Sequence, residues 1–166
     1  PLFFDAGVTG GQPWEPKNYD GKFEGPMQLH TALAKSKNMV SIRILQAISP
    51  QYAQDYVVRF GFERKLIPAY LTMALGAGGV TVQQMAGGYA TFANGGFRVA
   101  PYFIDRITDA KGSVIEKSKV LRAPDTAPRI IDARNAFLMT SMMQDVVRGG
   151  TAARARQLGR GDLAGK

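Results

Sequence analysis

Ser36-Lys37-Asn38 is the one Ser-x-Asn triplet in the chain, and it carries the clearest chemistry. Other chemistries can be set aside first. His30 is the sole histidine, so a histidine metal cluster cannot form and a Ser-His-Asp triad would have to use it. Its place beside Leu29 and Thr31 in a helical pattern suits a structural or surface role. With no cysteine there are no disulfides, thiolate catalysis or cysteine metal sites. The glycine pairs lack the phosphate-loop spacing, and the carboxylates are too dispersed to show a glycosidase pair. What remains is serine chemistry that needs no histidine. A lysine held away from water favours its neutral amine and can activate a serine; a second hydroxyl between two lysines can relay protons, and an asparagine can hold a substrate amide. The triplet alone has two readings. It fits that machinery, and it equally fits a turn linking two helices with Asn38 as a cap.

The elements around it follow from periodicity. Residues 1–26 are rich in turn formers, with Trp14, Tyr19 and Phe23 as expected anchors onto a core. A short helix is predicted from Met27 to Lys35, and a second from Met39 to Ile48 with Val40, Ile44 and Ile48 as its apolar row. Pro50 opens a third, where Tyr52, Tyr56 and Phe60 repeat before Gly61 stops it. Leu71 to Gly79 reads as a buried loop or short strand rather than a helix. Thr81 caps a helix to about Asn94, with Val82, Met85, Tyr89 and Phe92 as its stripe. Strands are predicted at Phe97 to Val99, Tyr102 to Ile107 and Ser113 to Ile115, the last two joined by a turn at Asp109 to Gly112. The longest helix signal runs from Ala133 to Val147, with Met139, Met142 and Met143 as core filler. Thr151 starts a last short helix, and 158–166 is a loop. The fold class is therefore α+β, with a mostly helical half at 1–96 and strands plus a long helix at 97–166.

Composition bounds the partners. The 166 residues fit one domain, with 45% hydrophobic and 20% charged residues as in ordinary globular proteins. No stretch approaches the ~20 apolar residues that cross a bilayer, and no signal peptide is visible. The net charge of +8 attracts anions, yet the basic residues are scattered. The modest cluster at Arg148, Arg154, Arg156 and Arg160 has no interleaved aromatics, so nucleic acid is not the expected partner. Starting at Pro1 without methionine and stopping at Lys166, the chain reads as a piece of something longer at both ends.

The ordered blocks along the chain resemble class A penicillin-binding proteins, the bifunctional enzymes that polymerise and crosslink peptidoglycan. Trp14-Glu15-Pro16-Lys17-Asn18-Tyr19-Asp20 with Phe23-Glu24-Gly25 looks like the family's approach to its second motif. Leu33-Ala34-Lys35-Ser36-Lys37-Asn38 with Ser41-Ile42-Arg43 resembles that motif itself. Tyr56 to Phe62, Ala74-Leu75-Gly76, Met85 to Ala90, Phe92 to Gly96 and Pro101 to Ile104 follow in family order. Gly150-Thr151-Ala152 and Arg160 to Lys166 resemble the approach to Lys-Thr-Gly. The Ser-x-x-Lys, Ser-x-Asn, Lys-Thr-Gly set has penicillin-binding proteins and class A β-lactamases as its standard example. Two departures stand out. None of the six serines has lysine three residues on, and the third motif stops at its lysine.

The resemblance implies an incomplete penicillin-binding protein/β-lactamase-like transpeptidase fold, a helical lobe plus part of an antiparallel sheet. It implies Ser36 as proton relay, Asn38 as hydrogen-bond partner of the donor peptide, and Lys166 as the cation that takes the substrate carboxylate and polarises Ser36. Lys37 would face away and be structural. No nucleophile lies in this chain, and no metal or cofactor is implied. The implied partners are D-Ala-D-Ala stem peptides, β-lactams in the complete domain, and the remaining segments of the same protein. The implied place is the periplasmic side of the bacterial inner membrane. A D,D-carboxypeptidase or β-lactamase with water as acceptor, and a non-catalytic basic module binding anionic polymers, are the alternatives.

Overall fold

A computed structural model describes residues 1–9 and 11–166. The helices are α1 (Ala6–Thr9), α2 (Leu29–Ala34), α3 (Asn38–Ile48), α4 (Pro50–Val57), α5 (Val82–Ala93) and α6 (Ala133–Gly149), with one antiparallel hairpin, β1 (Arg106–Thr108) and β2 (Val114–Lys117). This is the helical lobe that the sequence implied, with less strand than it implied.

The core lies between α3, α4 and the chain's first residues. Phe4, Ile42, Leu45, Ala53 and Leu71 are buried together, with Leu2, Trp14, Met73 and Ala74 packed against them. Phe4 and Trp14 bond each other's backbone, and their rings lie 5.8 Å apart. Trp14 is thus the anchor expected of it. Tyr19 and Phe23 are not: Tyr19 is fully exposed and Phe23 half so.

Helix starts and stops agree with the sequence; helix faces do so less well. In α3 apolar residues form two rows, and the core takes Met39, Ile42 and Leu45. The expected row, Val40, Ile44 and Ile48, looks outward, with Ile44 42% exposed and Ile48 45%. In α5, Thr81 and Gln84 close a reciprocal capping box. Its buried positions are Gly88 and Thr91, whereas Val82 at the head of the expected stripe is 88% exposed. Small residues let the neighbouring chain come close there: a Cβ on Gly88 would sit 3.1 Å from the Phe62 ring. Leu71 to Leu75 is a 3₁₀ helix, not a loop or strand, closed by the left-handed Gly76. Leu71 is buried as expected.

α4 begins with Pro50 behind Ser49, whose hydroxyl accepts from Tyr52 N–H. It tightens into a 3₁₀ turn at Val58–Phe60 and stops at the left-handed Gly61. Tyr52 stacks on Tyr56, Tyr56 meets Phe60 at a tilt, and Phe60 meets Phe92 of α5 at 5.4 Å.

The strands fall short of expectation. Phe97 makes only an isolated bridge to Arg129, and of Tyr102 to Ile107 only the last two residues join β1. β1 and β2 stand exposed on both faces, so no core enforces a longer ladder. The hairpin turn is held by Asp109, whose carboxylate accepts from Lys111 and Ser113 N–H.

α6 is capped by Asp132 and buries Ala136, Met143, Val146 and Val147. Met143 is therefore core, while Met139 and Met142 are only half-buried. α6 packs along α2 and α5. At its end a Cβ on Gly150 would lie 2.3 Å from the Ala34 carbonyl oxygen, and Thr151 N–H donates to that same oxygen. The end of α6 is thereby pinned to the end of α2, immediately before Ser36.

Candidate active site

α2 ends in a Schellman motif. Lys37 N–H donates to Ala32 O and Ser36 N–H to Leu33 O, with Ser36 at φ 54° in the left-handed position. Glycine usually occupies that position, because a side chain there costs about 1 kcal/mol. Here a serine holds it, and its hydroxyl projects at the corner between α2 and α3.

That hydroxyl meets the far end of the chain. Lys166 Nζ donates to Ser36 Oγ at 2.5 Å, across 130 residues. Two bonds seat the lysine: Tyr89 Oη of α5 donates to Lys166 O at 3.1 Å, and Gly165 N–H donates to Met143 O of α6. Lys166 remains exposed as a residue, and partial desolvation shifts its amine below the ordinary lysine value by disfavouring the charged form.

Asn38 is the first residue of α3 rather than its cap. Its side-chain amide donates to Lys17 O at 2.9 Å. The capping role goes to Asn18 instead, a buried residue twenty-one positions upstream, whose Oδ1 accepts from Met39 N–H at 3.1 Å. Lys37 turns away from Ser36 and is buried, with its side chain 4% exposed. Its ammonium sits 2.7 Å from Asp20 Oδ2 and 2.9 Å from Glu24 Oε2. Hydrogen bonds to Asp20, then to Glu24, hold it charged above the ordinary lysine value. Both carboxyls are held below theirs, chiefly by the bond to Lys37.

The structure thus brings together Ser36 and Lys166, places Asn38 at the same corner, and turns Lys37 aside as expected. His30 stays outside, paired with Gln28 and Asp145. Among the described residues no cluster of His, Asp or Glu could hold a metal ion. A cleft lined by Phe23, Met27, Val40 and Ile44 opens on the outer row of α3 and does not include Ser36, Asn38 or Lys166. Sequence reasoning did not single out Asn18, Asp20, Glu24 or Tyr89 as supports. The first three lie in the Trp14 to Gly25 block; the burial of Lys37, which calls for nearby acids, is visible only in the structure.

A family model for the penicillin binding protein transpeptidase domain matches residues 2–166. The chain belongs to this family. Over all 166 residues this transpeptidase-domain chain is 50% identical to Penicillin-binding protein 1A of Neisseria flavescens. It is 38% identical to Penicillin-binding protein 1A of Pseudomonas aeruginosa, with 92% of the chain covered. These matches span 21% and 24% of the relatives' own lengths, so the chain corresponds to under a quarter of each. The crystal structure of Penicillin-Binding Protein 1A from Haemophilus influenzae covers the whole chain at TM-score 0.91 and 31% identity, using 29% of that chain. The D,D-transpeptidase domain of a peptidoglycan glycosyltransferase from Eggerthella lenta shares the fold at TM-score 0.67 and 18% identity, over 93% of this chain and 45% of that one. The transpeptidase fold is therefore the fold of this chain, and its two-stranded hairpin and helices are part of that domain.

Proposed function

We propose that this chain supplies the proton relay and substrate clamp of a serine D,D-transpeptidase in a class A penicillin-binding protein, with the nucleophile contributed from outside residues 1–166. The observation that carries it is the 2.5 Å contact between Ser36 Oγ and Lys166 Nζ. A hydroxyl in contact with a partly desolvated lysine can pass a proton in either direction. No lysine follows any serine at the third position, so Ser36 itself lacks a base on its own helix turn.

In this reading the nucleophilic serine attacks the penultimate carbonyl of a D-Ala-D-Ala stem peptide. The Oγ–C bond forms, the C–N bond breaks, and the terminal D-alanine leaves with the serine's proton on its amine. A neighbouring strand's amine then attacks the ester. The N–C bond forms, the C–O bond breaks, and the amine's proton returns to the serine. Ser36 carries these protons, Asn38 hydrogen-bonds the donor peptide, and Lys166 draws in its terminal carboxylate. β-Lactams acylate the same nucleophile. The setting is the periplasmic side of the bacterial inner membrane; among the described residues no helix is long and apolar enough to cross one.

The test is acylation of the full-length protein by a fluorescent penicillin, with analysis of crosslinked products. Ser36→Gly is the informative variant, because glycine suits φ 54° and removes the hydroxymethyl side chain without straining the backbone. Acylation is expected to slow by about a hundredfold or more with folding retained. Residues 1–166 alone are expected to form no stable penicillin adduct. Unchanged labelling of the variant, or labelling of the isolated chain, would overturn the proposal.

A further inference from the structure

We infer that Lys37 is a positioning residue for the Ser36 and Asn38 corner: its buried ammonium, held between Asp20 and Glu24, keeps Ser36 in the left-handed conformation that directs its hydroxyl to Lys166. This rests on the reading of Ser36 as a proton relay.

Three consecutive residues after Ser36 are tied to one segment. Lys37 reaches Asp20 and Glu24, Asn38 reaches Lys17 O, and Met39 N–H reaches Asn18 Oδ1. Residues 17–24 form no helix or strand of their own; beyond these ties and the Lys35–Glu24 pair they show short-range bonds such as Asn18 Nδ2 to Lys22 O and Lys22 N–H to Asp20. Their placement against α3 therefore depends on these ties. The Schellman bonds of α2 fix two amides, yet they would suit glycine better than serine. Something further must hold a serine at positive φ.

Lys37 does this through the cost of the alternative. With Ser36 in the extended region the chain would leave α2 in another direction, carrying the ammonium away from both carboxylates. A buried cation without its partners is far less stable than a paired one. With the left-handed turn at Ser36, the chain leaves α2 in the direction that brings the hydroxyl to Lys166 and the ammonium to Asp20 and Glu24 at once. Charge also balances within the cluster: Lys37 and the more exposed Lys35, 3.9 Å from Glu24, face the two carboxylates. A neutral side chain at 37 leaves Asp20 and Glu24 facing each other uncompensated. Segment 17–24 then lifts, taking Lys17 O from Asn38 and the remote cap from α3.

The experiment compares full-length wild type with Lys37→Met and Lys37→Arg, measuring fluorescent-penicillin acylation at several concentrations to separate binding from acylation. Lys37→Met is expected to slow the acylation step about tenfold to a hundredfold, with initial binding changed by less than about threefold. Lys37→Arg keeps the charge and recovers most of the rate. A merely structural role predicts a lower melting temperature and fewer active molecules, but an unchanged rate per labelled molecule; that result overturns the inference. So does arginine performing no better than methionine. If Lys37→Met does not fold, Glu24→Gln, which leaves Asp20 in place, is read the same way, and a full wild-type rate there overturns it. If wild type is not acylated at all, the proposed function fails. The crystal structure of the Lys37→Arg or Glu24→Gln protein then decides this point alone: in Glu24→Gln a Ser36–Lys166 contact kept at 2.5 Å with φ near 54° counts against it, and a displaced Ser36 supports it.

Discussion

The most telling residue is Ser36, a hydroxyl-bearing side chain in a conformation that helix termination reserves for glycine. The corner tolerates that cost where it supports a contact no glycine could make. Around it, the carboxyls of Asp20 and Glu24 are held below their ordinary values of 3.8 and 4.5. Groups with depressed acid constants contribute stability that is complete above their unfolded values and is lost as pH falls through the folded ones. Lys37, raised above 10.5, contributes below that value and loses its contribution as pH rises past its folded one. The clamp is thus expected to stay intact from about pH 4.5 to pH 10.5 and to open in acid. Carboxyl carbon shifts of Asp20 and Glu24, followed by NMR in the intact protein, check this. Titration midpoints at or above 3.8 and 4.5 would contradict it.

Among the elements, the junction of α2, α3 and α6 decides where the candidate site sits. Gly150 lets the end of α6 come against the last carbonyl of α2, where a methyl group would lie 2.3 Å from oxygen. Gly150→Ala is therefore expected to push α6 from α2, cost about 1–3 kcal/mol, and shift Ser36 away from Lys166. Penicillin acylation and the melting temperature of the full-length protein should both fall. A silent substitution would mean that the junction is softer than its geometry implies.

The element boundaries were legible because they rest on local chemistry. Thr81 with Gln84, Pro50 after Ser49, and Gly61 act within a few residues of themselves. The faces were not. α3 carries two apolar rows, and the presence of Phe4 and Leu71 from distant segments makes the row with Ile42 and Leu45 the inner one. The same limit applied to the site. Ser36, Asn38 and Lys166 could be named from motifs, and Lys37 from its place between them. The remote cap from Asn18 and the seat that Tyr89 gives Lys166 depend on chain reversals that no local pattern records.

At the scale of the molecule, surface area is the informative quantity. A compact monomer of 18.0 kDa exposes about 8,000 Å². This chain exposes 11,158 Å², including Phe103, Phe137, Val82 and both faces of the hairpin. Burial of apolar area is the main favourable term in folding, so residues 1–166 by themselves are expected to lack a cooperative urea transition. Circular dichroism during urea titration measures this; a single sharp transition would refute it. The curated relatives it matches are four to five times longer, and in such a protein further chain can cover these surfaces.

The distance in sequence between Ser36 and Lys166 has a kinetic meaning. Closing a loop of 130 residues costs about 4 kcal/mol of chain entropy, against about 2 kcal/mol for a loop of ten. During synthesis the serine leaves the ribosome long before the lysine. The pair therefore closes late, after α5 and α6 have formed the seat that Tyr89 and Met143 provide. A chain truncated before Lys166 has its hydroxyl but not its lysine, so the contact reports that the whole stretch from α2 to Lys166 has been made and brought together.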